Sequence, residues 1–131
     1  MTSSTFDVQV YYEDTDHSGV VYHANYLKFF ERAREHLLGI DELVSLYNQQ
    51  GIGFVVYRAD LTYKKGAEFG DHILIKTDVH KESDFRLIFH QVAHLHSDDS
   101  VLVDGHIELV CVDDNRQLVR LPSLVLQRLQ L

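Results

Sequence analysis

The sequence predicts an α+β domain in which five antiparallel strands wrap around one long helix. Three observations carry that prediction. A single long amphipathic helical stretch, at about residues 24–38, follows the first strand. From Gly53 onward the apolar period switches to two and stays there. Short polar turns at Lys65-Gly66, Ser83-Asp84 and Ser97 to Ser100 cut that region into four strands.

The elements follow in order. Phe6, Val8, Val10 and Tyr12 alternate with Asp7, Gln9 and Tyr11, which predicts a half-buried strand ending at about Tyr12. An acidic turn comes next, with Gly19 free to take a positive φ. Tyr26, Phe30, Ala33 and Leu37 then recur at helical spacing, and Leu27, Phe29 and Leu38 widen the stripe. Gly39 is placed to end this helix, and Asp41 to cap a shorter one carrying Leu43, Leu46 and Tyr47.

Val55, Tyr57, Ala59, Leu61 and Tyr63 are expected to share one face of the second strand. Ile73, Ile75, Thr77 and Val79 share a face of the third, and Phe85, Leu87, Phe89, Ala93 and Leu95 of the fourth. Val101, Val103, Ile107, Leu109 and Cys111 line the fifth. A short helix from Ser123 to Leu131 follows Pro122, with Ser123 as its expected cap. An antiparallel sheet with one apolar face needs a partner layer, and the long helix supplies it. The outer strands are left with unpaired edges, so edge pairing into a dimer is expected.

Composition narrows the function classes. A chain of 131 residues fits one domain, taken as 1–131, with 45% apolar and 24% charged residues. No apolar run approaches membrane-spanning length and no signal-peptide pattern is present, so a cytoplasmic protein without membrane insertion is expected. One cysteine, Cys111, forms no internal disulfide, and it alternates in phase with core residues. A net charge of −8 opposes nucleic acid as the main partner. It leaves room for a phosphorylated small molecule in a local basic pocket.

Several motifs have to be weighed. Asp14-Thr15-Asp16-His17-Ser18-Gly19 matches the first half of a calcium loop, but Asn25 stands where the bidentate Glu belongs. His90, His94 and His96 fall on one strand face, where zinc is sterically conceivable; a solvated polar face is the expectation. Asp16 and His23 flank a strand-to-helix junction, where unpaired backbone N–H groups collect. Such amides stabilise a developing oxyanion while a carboxylate attacks a carbonyl or activates water. A carboxylate there equally suits a turn or helix cap, and spacing alone leaves both readings open. Lys64, Lys65, Lys81 and Arg86 lie at strand ends or beside turns, as solvated residues or as contacts to phosphates.

The run YYEDTDHSGVVYHANYLKFFERAR, Tyr11 to Arg34, closely resembles the signature of hotdog-fold acyl-CoA thioesterases. Within them it is similar to the YbgC-type branch of the 4-hydroxybenzoyl-CoA thioesterase family, with EDTD, GVVYH and ERAR in order. Weaker agreement extends to the LVCVD segment at Leu109 to Asp113. The resemblance implies a hotdog fold, homodimers joined edge to edge or paired into tetramers, and active sites between subunits. It implies that Asp16 is the catalytic carboxylate. The backbone N–H of His23 would serve the oxyanion, joined in our reading by that of Tyr22, and the His23 imidazole would assist. Tyr22, Asn25 and Tyr63 are expected pocket residues, and the four basic residues expected phosphate contacts. The implied substrate is an acyl-CoA, with acyl carrier protein as a further partner and no metal or redox cofactor required. His17-Ser18 departs from the small residues or proline of many relatives, so acyl specificity does not carry over. A non-catalytic acyl-CoA or acyl-carrier binder and a thioester dehydratase are the competing expectations. The Asp16 turn counts against both.

Overall fold

The computed structural model describes residues 3–131. Its elements are β1 (Ser3–Gln9), α1 (Asn25–Leu38), α2 (Ile40–Gln50), β2 (Gly53–Tyr63), β3 (His72–Lys81), β4 (Arg86–Leu95), β5 (Val101–Val112), β6 (Leu118–Val119) and α3 (Ser123–Leu129). The antiparallel sheet runs β1-β3-β4-β5-β2, and the two-residue β6 pairs with the end of β5. This is the expected α+β hotdog architecture, extended by one short strand.

Helix α1 forms because its apolar residues return to one side every three or four positions. Tyr26, Phe29, Phe30, Ala33, Leu37 and Leu38 are all buried, against Ile73, Ile75, Leu87, Phe89, Val103 and Ile107 of the sheet's inner face. Each large apolar side chain buried in this way contributes roughly 1.5–3 kcal/mol. Gly105, in the middle of β5, makes the close approach possible. A Cβ built there would lie 2.8 Å from Cε2 of Phe30. Gly39 ends α1 at φ 94°, a conformation that L side chains rarely adopt.

Several local expectations are corrected. The first strand stops at Gln9, and Tyr12–Asp14 form a turn of 3₁₀ helix. Gly39 is the N-cap of α2 as well as the end of α1, which leaves Asp41 in the first turn and not at the cap. Pro122, not Ser123, is the N-cap of α3. The largest correction concerns β2. It is an edge strand whose register shifts between Val56 and Arg58, and Val55, Val56, Tyr57 and Tyr63 are all exposed. Of the residues expected to share its apolar face, Val55, Tyr57, Ala59 and Tyr63 are exposed and only Leu61 is half-buried. On β5, Leu102 and Val103 are both buried while Val101 is exposed, because the pairing with β4 shifts at Ala93/His94. Beta bulges of this kind place two successive residues against one and reset the alternation.

Candidate active site

The turn between β1 and α1 is built mainly by Asp14. Its carboxylate accepts the Tyr11 N–H at 2.8 Å, closing the 3₁₀ turn. Its carbonyl accepts the Tyr22 N–H at 2.8 Å and the Asn25 side-chain amide at 3.0 Å. A bridge between Thr15 and Val21 closes the loop on itself, and a bridge between Val20 and Glu68 with a bond from Val21 N–H to Ala67 O fastens it to the segment after β2. The other aspartate, Asp16, joins the scaffold through its backbone, its N–H donating to Val20 O at 2.9 Å and its carbonyl accepting from Gly19 N–H at 3.0 Å.

Asp16 is exposed at the tip. Only its Oδ1 is engaged, accepting from the backbone N–H of Ser18 at 2.8 Å and from the Ser18 hydroxyl. Among the described residues Oδ2 accepts no hydrogen bond. The Ser18 hydroxyl and amide, followed by the Val20 contact and the nearby His23 imidazole, hold the carboxyl below its ordinary range; slight desolvation opposes them. Hydrogen bonds to the charged form favour it. The group therefore stands ionised at neutral pH with one oxygen available.

His23 lies one residue before Ala24, the N-cap of α1. Its ring packs against Tyr22, with centroids 4.5 Å apart, and edge-on against Tyr63 at 6.1 Å. The Tyr63 hydroxyl donates to the His23 carbonyl at 3.0 Å, so β2 pins the start of α1. The backbone N–H of His23 donates to no group among the described residues. The N–H of Tyr22 is committed to Asp14, so it is not available as a second oxyanion donor. Asn25 is likewise occupied in holding the loop.

The basic residues divide. Lys64 and Lys65 follow Tyr63 at the Asp16 end of the sheet, and Lys65 is shared by Asp98 and Ser100 at 3.5 and 3.2 Å. Lys81 pairs with Asp84 at 3.0 Å. Arg86 pairs with Glu108 at 3.1 Å and lies over the Tyr57 ring, 4.3 Å from its centroid. The register sets Arg86 opposite Val110 and Tyr63 opposite Val103. Seven strand residues at roughly 3.3 Å each put Arg86 about 20 Å along the sheet from Tyr63. Within one chain, Lys81 and Arg86 are thus not brought to the Asp16 turn. Cys111 is buried, and burial pushes its thiol up to about 12, which leaves it without thiolate chemistry.

Two contributors escaped sequence reasoning. Ser18 is the main group that lowers the Asp16 pKa; its position two residues on, as in an Asx turn, was the available signal. Arg34 is buried and donates to Gln91 Oε1 at 3.0 Å. Gln91 Nε2 donates to the Phe30 carbonyl at 2.9 Å and to Thr77 Oγ1 at 3.1 Å. Gln91 falls in phase with Leu87, Phe89 and Ala93, a polar residue on the inner face that the pattern could have exposed.

A groove of about 350 Å³ lies elsewhere, between α2 and α3, lined by Leu46, Gln50 and Val125 among others. It contains none of the candidate residues. The Asp16 turn is open to solvent.

Comparison with known proteins places this arrangement. Residues 10–129 match the family described as the Thioesterase-like superfamily. The acyl-CoA thioesterase YbgC of Haemophilus influenzae is 37% identical over 111 residues, 83% of this chain and 80% of that protein. A probable thioesterase from Bartonella henselae superposes with a TM-score of 0.83 at 33% identity, covering 92% of this chain and 99% of that one. A 4-hydroxybenzoyl CoA thioesterase complexed with 4-hydroxybenzoyl CoA shares the fold, with a TM-score of 0.89 at 13% identity over 98% and 99% of the two chains. The chain spans most of the length of these proteins and shares their sheet-and-helix architecture; it belongs to the thioesterase-like, hotdog-fold superfamily.

Proposed function

We propose that this protein hydrolyses acyl-CoA thioesters, with Asp16 as nucleophile or general base. The observation that carries the reading is the Asp16 carboxylate itself, ionised, exposed and unpartnered at Oδ2, at the mouth of α1. The thioester carbonyl carbon is attacked either by water, whose proton passes to Asp16, or by Asp16 directly. In both routes the carbonyl oxygen gains negative charge, and the free N–H of His23 beside the positive end of α1 is the donor for it. Collapse of the tetrahedral species breaks the C–S bond and releases the CoA thiolate. In the direct route, water then hydrolyses the Asp16 anhydride. The His23 imidazole orients the carbonyl or the water, and Tyr63 fixes His23 through its carbonyl. No step calls for a metal or redox cofactor.

The exposed β2 edge supports a homodimer. Val55, Val56 and Tyr57 are 42%, 48% and 63% exposed on an 11-residue strand whose outer side is unpaired. A long apolar edge of this kind is normally covered. Antiparallel pairing of two β2 strands sets the Tyr63 end of one chain beside the Gly53 end of the other. Arg86 and Lys81 then reach the Asp16 turn only from the partner, and Lys64 and Lys65 from the same chain. Tyr22 is exposed next to His23 and suits contact with the acyl group. Acyl carrier protein is an alternative carrier that presents the same thioester, and size-exclusion chromatography with light scattering tests both the dimer and its further pairing.

The test is release of free thiol from short-chain, long-chain and aromatic acyl-CoAs, with the Asp16→Asn protein alongside. Release that is lost in the variant is expected. Equal turnover by the variant removes Asp16 from the chemistry, and no release from any ester by the wild type leaves a binding role. Single-turnover reaction in ¹⁸O-water then separates the routes, since general-base attack puts the label into the product acid, whereas hydrolysis of an Asp16 anhydride at the Asp16 carbonyl puts it into the Asp16 carboxylate.

A further inference from the structure

The face of the sheet turned away from α1 is rich in histidine. The inner positions of β3, β4 and β5 are apolar, and His72, His80, His90, His94 and His106 take outer ones. At the centre, the register aligns Asp78, His90, His106 and Asp60 in a row across β3, β4, β5 and β2. Asp104 stands two residues before His106 on the same side of β5.

We propose that His90, Asp104 and His106 form a binding site for a divalent transition-metal ion of the zinc class on this outer face. The three side chains converge. His90 Nε2 lies 2.8 Å from Asp104 Oδ1, and the His90 and His106 rings stack with centroids 4.5 Å apart and planes 12° from parallel. One ligating atom from each of the three residues lies within 4.8 Å of the other two. Tetrahedral zinc with ligands at about 2.0–2.2 Å needs its donors roughly 3.4 Å apart. The His90–Asp104 pair has to open by about half an ångström, and His106 has to swing inward by about an ångström. These are side-chain rotations. His90 and Asp104 are partly exposed and His106 is exposed, while the paired β4–β5 backbone keeps the three Cα positions in place.

The donor set selects the ion. Two imidazoles and one carboxylate suit zinc and its neighbours, whereas magnesium and calcium prefer oxygen ligands throughout. The surrounding charge favours a cation, since Asp78 and Asp60 flank the two histidines and the chain carries a net charge of −8. The other histidines of this face lack such convergence. His94 bonds the Asp99 carbonyl and carboxylate, and His96 packs against His72 with the rings tilted by 32°. Three protein ligands leave a fourth position for water. The site is remote from Asp16 by design of the sheet, on the side opposite α1, so hydrolysis does not depend on it.

The experiment is competition for Zn²⁺ between the whole protein and a chromophoric chelator at neutral pH. One zinc bound per chain is expected, with affinity lowered more than about tenfold in both His90→Ala and His106→Ala. The His94→Ala/His96→Ala double variant should bind as the wild type does, and excess Mg²⁺ should not displace the zinc. Binding should weaken as pH falls, because protons compete for the imidazoles. Wild-type affinity and stoichiometry in His106→Ala, loss of binding in the double variant, or no zinc bound by the wild type would each overturn the proposal. Circular dichroism of each variant confirms that the fold is kept.

Discussion

At the mouth of α1, Asp16 stands in water with Oδ1 held by Ser18, and among the described residues its Oδ2 accepts no hydrogen bond and the His23 amide has no acceptor. Farther along the same helix, Arg34 is 5% exposed, and its guanidinium donates to Gln91, which in turn is tied to Phe30 and Thr77. Both places hold ionisable groups. In the interior an unpaired polar group costs about 1–3 kcal/mol, more when charged, so every contact there serves to satisfy another group. At the surface water removes most of that penalty, and donors and acceptors can be left free for a substrate. Reactive and architectural polarity are thus separated by access to solvent, not by residue type. Asp14 and Asp16 repeat the contrast within one motif. The Asp14 carboxylate and carbonyl bond Tyr11, Tyr22 and Asn25 and so build the loop, while Asp16 closes the tip turn with its backbone, to Val20 and Gly19, and its carboxylate, held by Ser18, faces outward.

The contrast can be broken by substitutions that act on one place and spare the other. Asp16→Asn should lower kcat about a thousandfold, near 4 kcal/mol of barrier, with an unchanged urea midpoint. A large loss of stability in that variant would mean that the Asp16 carboxylate belongs to the scaffold. Gln91→Leu should do the reverse. It leaves the Arg34 guanidinium buried without its acceptor, at a cost of about 2–4 kcal/mol in urea unfolding, and turnover per folded molecule should stay near wild type. Tyr63→Phe tests the link between β2 and α1. Removing the bond to the His23 carbonyl should cost about 0.5–1.5 kcal/mol, read as a several-fold fall in kcat with KM little changed.

Ser18→Ala should have the smallest effect at neutral pH and an informative one in acid. Ser18 lowers the Asp16 pKa, so activity carried by the carboxylate is present above that pKa and is lost as pH falls through it. Removing the hydroxyl raises the pKa, and the acid limb of the pH–rate profile should move to higher pH. An unmoved limb would show that some other group controls ionisation at the site.

Legibility in the sequence followed the range of the interactions. Period-two alternation in β3 and β4 is a local property, and both strands carry it through to the observed burial. The stop at Gly39 is equally local, because positive φ is available to glycine and strained for other residues. The β2 alternation was equally visible, yet the strand is exposed, since position at an edge depends on strand order and not on the strand's own residues. The Asp16 turn was read from a contiguous motif. The commitment of the Tyr22 amide to Asp14 was hidden, because backbone hydrogen bonding depends on the folded path of the loop. The separation of Arg86 from Lys64 was hidden for the same reason as the edge: only the register across β5 says how far apart two strand ends lie.

What the sequence determined by itself was therefore whatever short-range sterics and periodic burial can encode. That covers the long helix and its stop, the strands, the acidic strand-to-helix turn, and membership of a family carrying that turn. Tertiary structure alone decided which edge is left open, which of two neighbouring aspartate carboxylates is consumed by the scaffold, and how Gln91 joins Arg34. It also brought His90, Asp104 and His106 from two strands onto one patch. These outcomes rest on contacts between residues far apart in the chain, 57 positions for Arg34 and Gln91 and 61 for Phe30 and Gln91, and chain geometry has to close such distances before either side chain has a partner.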